Sequence, residues 1–108
     1  MRLPRVMLPH QVDLRALAAT TARQGATYAD PIRRRGSVEE RSALKIDQRT
    51  SSDTAGTEIV MSTVVYLQVE DYLEPGGLID YRGKTLTVAN ARRYEAPLLP
   101  SSAELWCV

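Results

Sequence analysis

Phenylalanine is absent from this 108-residue chain, and cysteine, histidine and tryptophan occur once each. One cysteine, Cys107, excludes an internal disulfide. One cysteine with one histidine, His10, also excludes a zinc site of Cys and His ligands within a single chain. No charge of one sign dominates: 14 Lys and Arg face 13 Asp and Glu, for a formal net charge of +1. That excludes a polybasic nucleic-acid arm and an acidic disordered tail. No apolar run approaches the ~20 residues that a membrane-spanning helix needs. Met1 to His10 carries Arg2 and Arg5 without an apolar stretch, so no secretory signal is expected. The aromatic complement is five Tyr and one Trp, which predicts a thin core and reliance on neighbouring molecules. The length suits one domain spanning residues 1–108.

What is present is punctuation. Pro4, Pro9, Gly25, Asp30-Pro31, Gly36, Asp53 to Gly56, Pro75-Gly76-Gly77, Arg82-Gly83 and Pro97 to Pro100 cut the chain into pieces of strand length. Thr57 to Val69 has the clearest period of two, with Ile59, Met61, Val65, Leu67 and Val69 on one face. Val60, Val64 and Tyr66 make the other face half apolar, as for a strand covered on both sides. Leu78–Tyr81 and Lys84–Ala91 read as a hairpin, with Gly83 taking the positive φ of a tight turn. Ser102–Val108 reads as a terminal strand, and Ile32–Arg41 and Ala43–Thr50 as two weaker ones. Val12–Arg23 admits either strand or helix. Alternation favours a strand over Gln11–Leu17, followed by a turn-like or disordered Ala18–Gly25. The fold class expected is all-β: a small antiparallel β-barrel or sandwich of about six strands with long loops and at most one short helix.

Chemistry is sparse. Gly77 to Thr85 has the glycines and the Lys-Thr pair of a phosphate loop, but five residues separate the glycines where four are required. No helix signature follows, and no cofactor is expected. His10 and Cys107 stand at opposite chain ends without a surrounding motif, and Leu105-Trp106-Cys107 is an apolar setting for an inert thiol. Glu39 and Glu40 are strand neighbours that point to opposite faces and so cannot work as an acid/base pair. Arg33-Arg34-Arg35 is the one basic cluster; it can touch phosphates, but a solvated or salt-bridged rim is the reading favoured for such a run. These features point away from an enzyme and toward a structural or interaction role.

The order of the motifs resembles that of the head-to-tail stopper, or head-completion, proteins of long-tailed phages. The segments that carry the resemblance are Leu8-Pro9-His10-Gln11-Val12, Tyr28-Ala29-Asp30-Pro31, Val38-Glu39-Glu40-Arg41, and Asp53-Thr54-Ala55-Gly56 before the Val-rich strand. They continue with Asp80-Tyr81-Arg82-Gly83-Lys84 ahead of Thr87-Val88, and with Glu104-Leu105-Trp106. Together they span essentially the whole chain, each weak alone and informative in order. The Ala-rich Leu17–Ala22 departs from the polar turn usual in the family.

The resemblance implies a small β-barrel subunit of a homo-oligomeric ring, commonly twelve-fold, in the virion neck, made in the host cytoplasm. Its partners would be copies of itself, the head-tail adaptor ring on the portal side and the tail terminator on the tail side. Genomic double-stranded DNA would pass through the lumen without sequence-specific binding, and no membrane is involved. A gate loop would hold the packaged DNA. The polar stretch Asp47, Gln48, Arg49, Thr50, Ser51, Ser52, Asp53, Thr54, Ala55 and Gly56 is the candidate, because a loop crossing a DNA channel must stay solvated and mobile. Asp47 and Asp53 would set negative charge in the lumen, partly offset by Arg49, with Gly56 as a hinge. An exposed hairpin loop elsewhere on the surface is the plainer reading of the same residues. Two further functional readings are a tail-terminator or tail-completion protein of the same neck, and a small β-barrel nucleic-acid-binding module.

Overall fold

The structure, a computed structural model, describes residues 3–21, 25–50, 52–96 and 99–108. The strands are β1 (His10–Arg15), β2 (Leu17–Thr21), β3 (Gly25–Tyr28), β4 (Ile32–Ile46), β5 (Glu58–Gln68), β6 (Leu78–Tyr81), β7 (Lys84–Ala96) and β8 (Leu99–Cys107). Six of them close into an antiparallel barrel in the order β1-β4-β5-β8-β7-β6, with β6 returning to β1. Among the described residues there is no α-helix, only two short 3-10 turns at Arg5–Met7 and Val69–Asp71. Closure leaves no continuous sheet edge, which suits a small all-β chain with no helix to cover one.

The barrel interior follows from alternation. Val12 and Leu14 of β1, Val65 and Leu67 of β5, Ile79 of β6, Val88 of β7, and Leu105 and Cys107 of β8 meet in one cluster. The long strand expected over Thr57–Val69 is β5, and the expected hairpin is β6–β7. Its turn places both Arg82 (φ 49°) and Gly83 (φ 79°) in the left-handed region, as a two-residue hairpin turn with primed geometry requires. Gly36 stands where β4 crosses β5 most closely. A Cβ there would lie 2.7 Å from Leu67 Cδ2 and 3.0 Å from the Tyr66 carbonyl oxygen.

Two expectations are corrected. The two strands expected over Ile32–Arg41 and Ala43–Thr50 are one, β4, which ends at Ile46 and has a register shift between Glu40 and Ala43 rather than a break; residues 47–50 are loop. A bulge bends a strand without ending it, which makes one curved strand resemble two in sequence. The stretch expected to be turn-like or disordered, Ala18–Gly25, contributes strand instead: Leu17–Thr21 pairs with Gly25–Tyr28 as a separate two-stranded arm. The Ala29 N–H to Ala16 carbonyl bond (2.8 Å) closes the arm's base. Thr20, Thr21 and Thr27 tolerate extended backbone, and pairing satisfies main-chain groups that neither segment satisfies alone. Residues 22–24, within the same stretch, lie outside the described residues.

The bend in β4 has a further consequence. The far part of the β4–β5 hairpin folds across the outside of the barrel, where Met61 packs with Val64, Ala89 and Trp106, flanked by Ala43, Ile59 and Tyr66. Trp106 is 3% exposed, although it points away from the interior that its neighbours Leu105 and Cys107 fill. A second, smaller core therefore sits on the outer face of β5, β7 and β8. The opposite face of the same hairpin leaves Leu44, Ile46 and Val60 exposed.

Candidate functional site: the β4–β5 loop and its anchor

Residues 47–57 join β4 to β5. The bent hairpin lays their root on β7, and three hydrogen bonds involving the main chain form there. Gln48 N–H donates to the Ala89 carbonyl (2.7 Å), Ala91 N–H donates to Gln48 Oε1 (2.9 Å), and Asn90 Nδ2 donates to the Ile46 carbonyl (2.9 Å). They fill the place where β7 shifts register between Val88 and Asn90, so the loop's base completes bonding that the barrel ladder leaves open.

Asp47 is the centre of the loop. It is 1% exposed, and its carboxylate accepts from Arg49 Nε (3.0 Å to Oδ1) and Nη2 (3.0 Å to Oδ2) in a two-point fork. The Arg49 N–H (3.0 Å) and the Thr54 hydroxyl (2.5 Å) add two further bonds. The guanidinium beside it, together with these donors, holds the carboxyl well below the ordinary carboxylate range, against the opposing effect of burial. Main-chain bonds close the loop around this pair: Asp47 N–H to the Thr57 carbonyl (2.9 Å) and Gly56 N–H to the Asp47 carbonyl (2.8 Å). Gly56 takes φ 80° with open space around it, so glycine is there for the backbone angle and not for room.

The ten residues singled out from the sequence thus divide. Asp47, Gln48, Arg49, Thr54 and Gly56 build the loop's base. Ser52 and Thr54 join through their hydroxyls (3.1 Å). Thr50, Asp53 and Ala55 are exposed at the tip, and Ser51 lies outside the described residues. The charge expected from Asp47 is not presented to solvent; it is turned inward onto Arg49, because a four-donor pocket stabilises the carboxylate there. Asp53 does present its charge. Sequence reasoning missed the loop's seat, Ala89 to Ala91. The one signal was Asn90, an amide in an apolar strand; it is 7% exposed, with Oδ1 unpartnered among the described residues.

The other candidates are placed plainly. His10 Nδ1 accepts from the Val38 N–H (3.0 Å), and its ring lies 5.2 Å from that of Tyr81. Cys107 is fully buried in the barrel interior, and burial pushes its thiol up to about 12, far from thiolate chemistry. Arg33 and Arg34 pair with Asp13 (3.2 Å) and Asp71 (3.0 Å), while Arg35 donates to the Leu8 carbonyl (3.1 Å). Among the described residues no group of three or more His, Cys, Asp or Glu could hold a metal ion.

Comparison with protein-family models finds no match, and comparison with curated proteins finds none either.

Proposed function

We propose that this chain is a structural subunit of a phage neck, a head-to-tail stopper that works as a homo-oligomeric ring and carries a loop able to close the DNA channel. The reading comes from the motif order in the sequence. One structural observation supports it most: β4 and β5 continue past the barrel as a curved hairpin with a constructed polar loop at its end. Its base is locked onto β7 by Gln48 and the Ile46 carbonyl, which bond Ala89, Asn90 and Ala91, it is closed on itself by Asp47, and its tip is exposed. A ring subunit needs such an element, rigid at the root so that copies align, and polar at the tip so that it stays solvated.

Exposed apolar surface supports the ring. Leu44 (64%), Val60 (64%) and Ile46 are exposed on the hairpin, and Val6 (86%) and Met7 on the N-terminal 3-10 turn, two different elements. A closed ring of identical copies uses two different surfaces per subunit, so apolar exposure on two elements fits better than on one.

The test is a neck assembled on portal and adaptor. Density should show a closed ring, twelve-fold as the resemblance implies, with residues 50–55 facing the lumen. An Asp53→Lys variant keeps the Asp47 anchor and changes only the tip. Heads carrying it should assemble and then retain or release DNA abnormally. A neck map with residues 47–56 outside the channel wall overturns the gate assignment, and one or a few copies per particle overturns the ring.

A further inference from the structure

Three surface hollows run into one another across β1, β4 and the β6–β7 turn. The first, about 560 Å³, holds Arg5, Arg33, Arg34 and Arg35; the second, about 220 Å³, shares Gln11 and Arg33 with it. The third, about 710 Å³, shares Tyr81 and Arg82 with the second and adds Lys84 and Arg41. Fold placement makes this track. Strand β4 carries Arg33, Arg34 and Arg35 at one end of the track and Arg41 further along, the turn at residues 82–83 brings Arg82 and Lys84 beside it, and the 3-10 turn brings Arg5.

The charge on the track is unbalanced. Arg33, Arg34 and Arg41 have carboxylate partners in Asp13, Asp71 and Glu39, and Asp80 is taken by Arg15. Among the described residues four cations have none: Arg5, Lys84, Arg35, which is held by the Leu8 carbonyl, and Arg82, whose guanidinium lies over the Tyr81 ring at 5.2 Å. Of the carboxylates that line the hollows, Glu40 alone has no cation of its own among the described residues. A chain of formal charge +1 thus concentrates an excess of positive charge in one continuous groove.

The geometry points to a duplex nucleic-acid backbone as the ligand of this groove, held through successive phosphates without base reading. Arg33 to Arg41 spans roughly 26 Å at strand rise. Cations at both ends of that length, with Arg82 and Lys84 beside Arg41, suit a polyanion of roughly seven to eight base pairs better than a single small anion. Guanidinium forks donate to two phosphate oxygens at a time, and Arg5 and Arg35 sit beside arginines already oriented by Asp13 and Asp71.

The experiment uses the full chain and a fluorescent duplex of about 20 base pairs of mixed sequence, titrated between about 50 and 200 mM salt. Wild type should bind at low salt and weaken steeply as salt rises. The variant R5Q/R35Q/K84Q removes three of the unbalanced cations and no carboxylate-paired residue. It should keep its circular dichroism, bind at least tenfold more weakly at low salt, and show a log–log salt slope shallower by about two to three. The control K45Q/R92Q alters two cations that lie over Trp106 and Tyr94 and line none of the three hollows, and should bind as wild type does.

No binding by wild type at about 50 mM salt overturns the inference. So does an equal loss in the control, which would mean diffuse electrostatics, or equal competition by polyglutamate, which would mean an acidic protein surface. A protein that forms rings but fails this assay loses the groove and keeps the proposed function, so the two failures are distinguishable.

Discussion

Arg49 grips Asp47 at both carboxylate oxygens, each bond 3.0 Å, across two residues of chain at the root of the β4–β5 loop. The Asp47 side chain is fully buried, while the Arg49 side chain keeps 22% of its surface in solvent, so the pair is inward-facing on one side only. Removing the acid therefore leaves a cation that water reaches and strands the Thr54 hydroxyl and the Arg49 N–H.

Asp47→Asn should lower stability by about 2–3 kcal/mol at neutral pH, less than for a fully buried pair because Arg49 stays partly hydrated. The pH dependence has a fixed sign. The folded-state pKa lies below the ordinary 3.8, so the contribution is complete above that value and is lost as pH falls toward the folded pKa. Urea midpoints of wild type and Asp47→Asn should differ most at about pH 7, begin to approach each other only below about pH 4, and keep narrowing in stronger acid. A gap that widens in acid would contradict the assignment.

Trp106 is the only tryptophan and lies in the outer core, so its emission reports whether the hairpin is seated. Met61→Ala removes a fully buried side chain packed in the same cluster and should cost about 2–4 kcal/mol. Its Trp106 emission should shift to the red before far-UV circular dichroism changes, because the inner core of Val65, Leu67 and Leu105 is untouched. Coincident transitions by both probes would show that the two cores unfold as one.

Gly36 and Gly56 should respond differently to alanine. Gly36→Ala sets a Cβ against Leu67 and the Tyr66 carbonyl, a backbone group that cannot swing aside, and should cost about 1–3 kcal/mol. Gly56→Ala meets no atom and carries only the strain of φ 80°, about 1 kcal/mol. Equilibrium denaturation of both variants ranks them; the reverse order would refute the crowding at β4.

Cys107 should resist thiol reagents in the native protein at neutral pH, since burial both blocks access and holds the thiol protonated. Labelling should appear only with denaturant, at the rate of barrel opening. Rapid labelling of native protein would mean that β8 frays at its end.

Local pattern determined much of this protein. The alternation of Ile59 to Leu67 made β5 legible, Arg82-Gly83 demanded a hairpin turn, and the spacing of turn formers indicated an all-β chain. These rest on side-chain period and backbone angles, which neighbours in sequence decide. Tertiary structure decided the rest. Barrel closure depends on β6 meeting β1, a pairing of residues far apart in the chain, and β4 is one strand because β5 stays paired with it on both sides of the Glu40/Ala43 shift. Asp47 reads as one more polar residue in a polar loop; it is buried because the bent hairpin lays the loop's root on Ala89–Ala91. The cationic groove is likewise assembled from Arg5, the β4 arginines and the 82–84 turn, which no spacing rule brings together. Burial and charge balance are sums over neighbours in space, and those neighbours exist only once the strands have paired.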